Sequence, residues 1–511
     1  MRVVLSCLLS SLAGISMSTT ALAIEPQAPQ SLITSEESVV ILARQQLDLM
    51  KKSSDASVGR DQTGLSEYYA NHFGAPLWVN KNGLTNKAKL IIEEIRQADQ
   101  WGLNSAQFDL PSLTEQVSTA DLIDAEIALS LAILKYARHA RGGRMDPTSL
   151  SLAIDRVPPL EAPRVVLDSL QSTDNPARYL QSLHPQHDQF KKLRSAYLKA
   201  LSDEQKNTKL QKKSKVKLSQ RLLYNMEMWR WMPRELGAKY VWSNIPEFKV
   251  RIIKNERVVH EERIVIGKTT HKTPIFSDEM ETIVFHPFWG VPNSIKVKEL
   301  LPSLVRGGNA LTRQGLRISY AGREIDPNSV DWSQNDIRNY HVFQPPGRRN
   351  ALGIVKFMFP NKHAVYMHDT PSKHLFKRNV RAFSHGCMRV RNPLKLAELV
   401  LQHDKGWERT KIDVLISNGP KNNQITLNNK LQVHVTYFTV WIDDDGKPVT
   451  MKDIYGHEKL IQMGFDGKTH LIVRKKINLD AKRRAIVANI PAQTSYQYSS
   501  NPGWRQSVFE N

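Results

Sequence analysis

A cysteine, two histidines, a glycine and an arginine of chemical interest fall in two short runs. One is Ser384-His385-Gly386-Cys387-Met388-Arg389, and the other is Tyr366-Met367-His368-Asp369-Thr370-Pro371. A cysteine nucleophile reacts as the thiolate, which near neutral pH needs a base or an imidazolium partner. His385 is two residues from Cys387 and in an extended segment would share its face. His368 could approach from a neighbouring strand. Gly386 permits a tight turn and would expose a backbone N–H suited to an oxyanion hole. Arg389 could hold a substrate carboxylate through two parallel N–H bonds. Two other readings compete: a buried structural cysteine with incidental histidines, and a metal site drawn from His363, His368, His374, His385 and Cys387. Those spacings fit no common zinc pattern, so no metal or other cofactor is expected.

The rest of the chain narrows the setting. It has 511 residues, 41% hydrophobic and 24% charged, which excludes collagen-like, coiled-coil and wholly disordered classes and suggests about three domains. Two cysteines cannot build a disulfide scaffold or a four-cysteine zinc site. A net charge of +21 favours a polyanionic partner: nucleic acid, anionic lipid or an acidic wall polymer. Residues 1–23 read as an export signal. Arg2 supplies the charge, Val3 to Met17 the apolar stretch, and Ala21-Leu22-Ala23 the small-x-small cleavage site before Ile24. No later segment is long and apolar enough to span a bilayer. The expected location is therefore the periplasm, and the expected polyanion is a cell-envelope polymer, not nucleic acid. Cleavage would remove Cys7 and leave Cys387 as the one cysteine.

Periodicity then places the elements that must position these residues. Residues 24–64 are polar, with a short helix near Val39–Met50. Residues 65–205 read as a helical scaffold: Leu84, Ala88, Ile91, Ile92 and Ile95 recur at helical spacing behind a Thr85 cap, and Leu122 to Ala140 is apolar nearly all round, stopping at Arg141-Gly142-Gly143. More helix is expected near 177–202. Lys206 to Lys217 carries six lysines and no acid, so 206–238 reads as a basic linker and helix. From about 239 the period becomes two. Lys249–Ile252 and Arg263–Ile266 read as strands joined through a turn at Lys254–Arg257. Val433–Ile442 reads as one continuous strand closed by Asp444-Asp445-Gly446. The fold class is α+β.

The cysteine motif, with His368 ahead of it, resembles the signature of L,D-transpeptidases with the YkuD-type catalytic domain. Further segments resemble the larger Gram-negative subfamily typified by YcbB. They include Asn225-Met226-Glu227-Met228-Trp229, Lys272-Thr273-Pro274-Ile275-Phe276, Trp289-Gly290-Val291-Pro292, Asn350-Ala351-Leu352-Gly353, Tyr437-Phe438-Thr439-Val440-Trp441 and Asp453-Ile454-Tyr455-Gly456-His457. The resemblance covers roughly 65–460. It implies a helical N-terminal scaffold, a mostly-β catalytic domain over 239–418 with a capping segment inserted at 290–345, and a C-terminal extension over 419–511.

The resemblance also implies a reaction. Cys387 would attack the carbonyl joining the third residue of a peptidoglycan stem to its terminal D-alanine, release D-alanine, and pass the acyl group from a thioester to the amine of a second stem as a 3→3 cross-link. His368 would be the general base. Tyr366 and the backbone around Gly386 would line the oxyanion hole. Asp369 would orient the imidazole, through side chain or backbone. Ser384, His385 and Arg389 would position substrate. Carbapenems are expected to acylate Cys387. An L,D-carboxypeptidase with water as acceptor would use the same residues, and a catalytically silent wall-binding protein is the alternative of another class. Many subfamily members carry a wall-binding module between scaffold and catalytic parts. Here 206–217 leaves no room for one, and its lysines are expected to replace it in part.

Overall fold

The computed structural model describes residues 35–113, 116–206 and 216–472. The expected export signal, most of the 206–217 lysine stretch and the basic tail lie outside the described residues.

The N-terminal part is helical: α1 (Ser35–Leu49), α2 (Ala56–Ala70), α3 (Asn86–Arg96), α4 (Thr119–Gly142), α5 (Pro147–Leu150), α6 (Pro163–Ser172), α7 (Pro176–Ser182), α8 (Asp188–Lys206) and α9 (Leu218–Arg230). A two-strand hairpin, β1 (Val79–Asn80) and β2 (Gly83–Leu84), precedes α3, whose first turn is capped by the Thr85 hydroxyl on Ala88 N–H. The apolar girth of α4 is explained by its central place. A Ser118/Asp121 capping box starts it, Gly143 at φ 92° ends it, and most of its length is buried. The buried Glu126 on α4 accepts Trp78 N–H at 2.9 Å and the Tyr69 hydroxyl at 2.5 Å, which pins the Leu77-Trp78 segment to the bundle.

The part that follows contains β3 (Lys239–Asn244), β4 (Lys249–Lys254), β5 (Arg257–Gly267), β6 (Phe276–Phe285), β7 (Trp289–Gly290), β8 (Arg317–Tyr320), β9 (Arg323–Ile325), β10 (His341–Gln344), β11 (Val355–Met358), β12 (Met367–His368), β13 (Ala382–Ser384), β14 (Met388–Val390), β15 (Asn423–Thr436), β16 (Val440–Ile442) and β17 (Pro448–Thr450). Nine strands form one sheet in the order β13-β5-β14-β12-β11-β6-β15-β3-β4, and an additional pairing brings β4 back to β5. Strand alternation fills the core. Val355 and Phe357 on β11, Met367 on β12, and Met388 and Val390 on β14 are fully buried. The intervening residues Lys356, His368 and Arg389 are thereby turned to the opposite face.

The inserted segment is a second small body. β7, β10, β8 and β9 make its four-stranded sheet over a core of its own that includes Leu300, Leu311, Ile318, Trp332, Ile337 and Val342.

One expected element is corrected. Val433–Ile442 is not one strand: β15 ends at Thr436 and β16 starts at Val440 in a separate hairpin. Between them the backbone bonds to buried side chains instead of a ladder. Asn244 Oδ1 accepts Phe438 N–H at 2.7 Å, and Asn225 Oδ1 accepts Thr439 and Val440 N–H at 2.9 and 3.1 Å. Replacing Asn225 with alanine leaves those two N–H groups buried and unpaired, so a loss of about 2–4 kcal/mol is expected in denaturant titration. A loss under about 0.5 kcal/mol would contradict this account.

Of 206–238, expected as a basic linker and helix, the helix is α9, and it is built into the core. Trp229 stacks on Phe438 with centroids 4.7 Å apart and, like Met226 and Met228, belongs to the same core as the sheet. The loop after α5 is also built into the sheet. Ile154 bridges Ile275, and fully buried Arg156 donates to the carbonyls of Phe276 and Val435, both at 3.0 Å.

Candidate active site

Strand register assembles the site. Lys356 on β11 lies opposite His368 on β12, and His368 lies opposite Arg389 on β14. Tyr366 stands two residues before His368, and Cys387 two before Arg389. Period two puts all five on one face.

Each side chain is held by identifiable partners. His368 is buried, and its Nδ1 bonds the Asp369 carbonyl. A carbonyl only accepts, so Nδ1 carries the proton and Nε2 keeps its lone pair. Burial, then the charges of Arg389 and Lys356, press the imidazole pKa down to about 3. The resting ring is neutral. The Asp369 carboxylate is directed elsewhere, to Ile354 N–H at 3.0 Å and the Lys373 ammonium at 2.5 Å. Orientation of the imidazole thus comes from backbone. Gly353, at φ +61°, leaves room for that carboxylate, since a Cβ there would lie 2.2 Å from Asp369 Oδ2.

Cys387 is half-buried, and its Sγ faces the Ala364 carbonyl at 3.8 Å. Ala364 holds a strained φ of +51° in a loop tied by Asn361, whose amide donates to the carbonyls of Phe359 and Val365 at 2.6 and 2.7 Å. Burial pushes the thiol up. The Tyr366 backbone N–H, the Lys356 charge, the Tyr366 hydroxyl and the Arg389 charge all oppose that rise. Burial raises the Tyr366 phenol well above its ordinary range, and Trp289, at the root of the inserted body, works against that rise. Among the described residues no hydrogen bond joins Sγ to His368; burial raises the thiol and lowers the imidazole, so both groups rest neutral.

Of the three residues expected to position substrate, two take other places. Ser384 is 2% exposed and offers no surface to a substrate. Its hydroxyl donates to Cys387 O at 2.6 Å and accepts Gly386 N–H at 3.1 Å. The Gly386 N–H expected to be free for an oxyanion is consumed there. His385 is exposed and turns away from the thiol. Its Nε2 meets Glu299 of the inserted body at 2.5 Å, and its ring lies edge-on to His271 at 5.0 Å. Arg389 stays on the face shared with His368, with its Nε buried and unpartnered.

Lys356 was not singled out from sequence. Its Nζ sits 4.1 Å from the centroid of the Tyr366 ring, and burial lowers its pKa to about 8 while the Cys387 charge raises it. A lone lysine inside the apolar run Val355-Lys356-Phe357-Met358 was the available signal. Among the described residues no three His, Cys, Asp or Glu side chains gather as metal ligands. The histidines diverge: His363 bonds Asp155 at 2.8 Å, His368 the Asp369 carbonyl, and His385 Glu299.

Comparisons with known proteins bear on this geometry. Residues 63–196 match a family described as a scaffold domain, and residues 238–416 match the L,D-transpeptidase catalytic domain. A Haemophilus influenzae protein provisionally named an L,D-transpeptidase is 31% identical over 248 residues, 48% of this chain and 50% of the relative. The chain thus spans about half the length of that curated relative. Solved structures of an L,D-transpeptidase from Mycobacterium smegmatis and of LdtMt1 in complex with imipenem are 10% and 13% identical. They cover 39% of this chain and 58% and 59% of theirs, each at a TM-score of 0.18, too low for the overlay to bear on this fold.

Proposed function

We propose, from the membership of residues 238–416 in the L,D-transpeptidase catalytic-domain family, that this chain is a cysteine acyltransferase acting on peptidoglycan stem peptides. The observation that supports it best is the shared face of Cys387, His368 and Tyr366, with the imidazole tautomer fixed for base catalysis.

The reaction follows from those groups. Sγ attacks the carbonyl between the third stem residue and the terminal D-alanine, and its proton passes to His368 Nε2. With the thiol pushed up and the imidazole pressed down, proton transfer accompanies carbon–sulfur bond formation; it does not precede it. The carbonyl electron pair becomes an oxyanion, stabilised by the Tyr366 hydroxyl and the backbone N–H of Cys387. Lys356 and Arg389 add positive charge beside the same atoms. Collapse breaks the C–N bond, and His368 returns the proton to the leaving amine of D-alanine. A thioester remains. The side-chain amine of a second stem attacks it and His368 takes the amine proton; collapse of the adduct breaks the C–S bond, that proton returns to Sγ, and the thiol is regenerated with a 3→3 cross-link formed.

The inserted body reaches the site through Trp289 and Glu299, which favours a lid that excludes water. That supports amine over water as acceptor. Incubation with a tetrapeptide-stem muropeptide decides it: cross-linked dimers are expected, whereas tripeptide alone would establish the carboxypeptidase reading.

The export signal expected in residues 1–23 would deliver the enzyme to the periplasm. Among the described residues no helix is long and apolar enough to cross a membrane. The lysines of 206–217 would hold the chain on the anionic wall. Changing them to glutamine is expected to lower co-sedimentation with sacculi, most at low salt. Unchanged pelleting across salt concentrations would remove that role.

A further inference from the structure

Gly386 and Cys387 share one peptide unit, and no peptide bond of the described chain is cis. In a planar trans unit the C=O and the N–H point in opposite directions, so whatever holds the Gly386 carbonyl aims the Cys387 N–H. That carbonyl accepts the Thr273 hydroxyl at 2.7 Å. Among the described residues the Cys387 N–H has no acceptor, and the Gly386 N–H is taken by Ser384. Cys387 therefore supplies the backbone donor left open at the nucleophile.

Thr273 is itself held from two sides. It is fully buried, and its hydroxyl oxygen accepts Gly267 N–H at 2.9 Å, so its single proton is committed to Gly386. Its own N–H donates to the Tyr455 hydroxyl at 3.2 Å, and that hydroxyl donates to the Gly267 carbonyl at 2.5 Å. Lys272 Nζ donates to Tyr455 O at 2.7 Å. Tyr455 is anchored in turn: its N–H donates to the Tyr437 hydroxyl at 2.6 Å, which donates to Asp453 at 2.7 Å. Asp453 also accepts the backbone N–H groups of His457 and Glu458 at the start of the next helix, at 2.9 and 3.1 Å. Gly386 is at φ +125°. A Cβ there would meet nothing closer than 3.7 Å, so its backbone conformation, not space, calls for glycine.

We propose that Thr273, braced by Tyr455 of the segment after β17, is a positioning residue that fixes the Gly386–Cys387 peptide so that the Cys387 N–H is aimed at the oxyanion. This gives the C-terminal segment a part in catalysis without contact with substrate. It rests on the acyl-transfer reading above.

The test separates steps that need an oxyanion donor from one that does not. Acylation of Cys387 by a carbapenem forms an oxyanion; alkylation by iodoacetamide displaces iodide at a saturated carbon and forms none. In the full chain, Thr273→Val is expected to lower the acylation rate constant about 30- to 100-fold, somewhat less than deletion of a whole oxyanion donor. The concentration giving half-maximal acylation rate and the alkylation rate should each stay within about twofold of wild type. Thr273→Ser should recover acylation to within about threefold. Tyr455→Phe, which removes one hydroxyl, should lower acylation about fivefold and decides the matter if the valine variant does not fold. Wild-type acylation rates in both Thr273→Val and Tyr455→Phe would overturn the proposal, as would an equal fall in acylation and alkylation. A wild-type chain that alkylates but never acylates would instead overturn the acyl-transfer reading itself, and this proposal with it.

Discussion

Cys387→Ala is expected to show no covalent adduct after incubation with a carbapenem, whereas the wild-type chain gains the mass of one inhibitor. Stem-peptide turnover should fall by about 10⁴-fold or more, the range seen when a covalent nucleophile is deleted from a protease. Cys387→Ser should be almost as poor. His368 is a weak base because burial and two cations hold its pKa to about 3. Such a base can assist a thiol, which is acidic and strongly nucleophilic, but not a hydroxyl, whose proton is held far more tightly. A serine variant with a tenth of wild-type activity would mean that His368 is far more basic than its surroundings imply. Failure of the wild type to acylate would leave the wall-binding, non-catalytic reading in place.

Lys356→Met is expected to lower carbapenem acylation by about 10²-fold with little change in fold stability. A unit charge a few ångström from a developing anion contributes about 4 kcal/mol at an effective dielectric near 20, and half-burial reduces that. The pH profile carries the sign. The ammonium is present below about 8 and is lost as pH rises through that value, so wild-type acylation should decline there. Lys356→Arg keeps its charge to much higher pH and should lose that decline. On the acid side His368 stays neutral until about 3, so no limb should appear near 6.5, where an unperturbed histidine titrates. Single-turnover acylation is the right measurement, because the acceptor amine's own titration does not enter. A wild-type limb near 6.5, or a methionine variant at full rate, would count against this electrostatic role.

The sequence was most informative where the deciding interactions are local. The Thr85 cap, the β4–β5 hairpin and the central helix α4 depend on neighbours a few residues away. The cysteine motif stood out in sequence through its resemblance to a family signature, since the spacing of its residues alone left a structural cysteine open. Lys356 was not, because its importance comes from register with His368 and Arg389 on strands distant in the chain. Ser384 was placed with the substrate groups only by the resemblance. Only the turn geometry reveals that both of its hydrogen-bonding functions are spent inside the loop. The break after Thr436 was hidden for the same kind of reason. A β-rich run reads as one strand unless one knows that Asn225 and Asn244 wait to receive its N–H groups.

The loop after α5 has a consequence for modularity. Arg156 serves carbonyls on β6 and β15, and its neighbour Asp155 accepts from His363 in the loop that carries Ala364 to the thiol. Excising the helical part would therefore strip hydrogen-bond donors from the middle of the sheet and loosen the wall of the reaction centre together. The two halves should melt in a single transition. The scaffold is then no detachable tether but half of one cooperative folding unit, and a recombination point placed at 206 would cut through it.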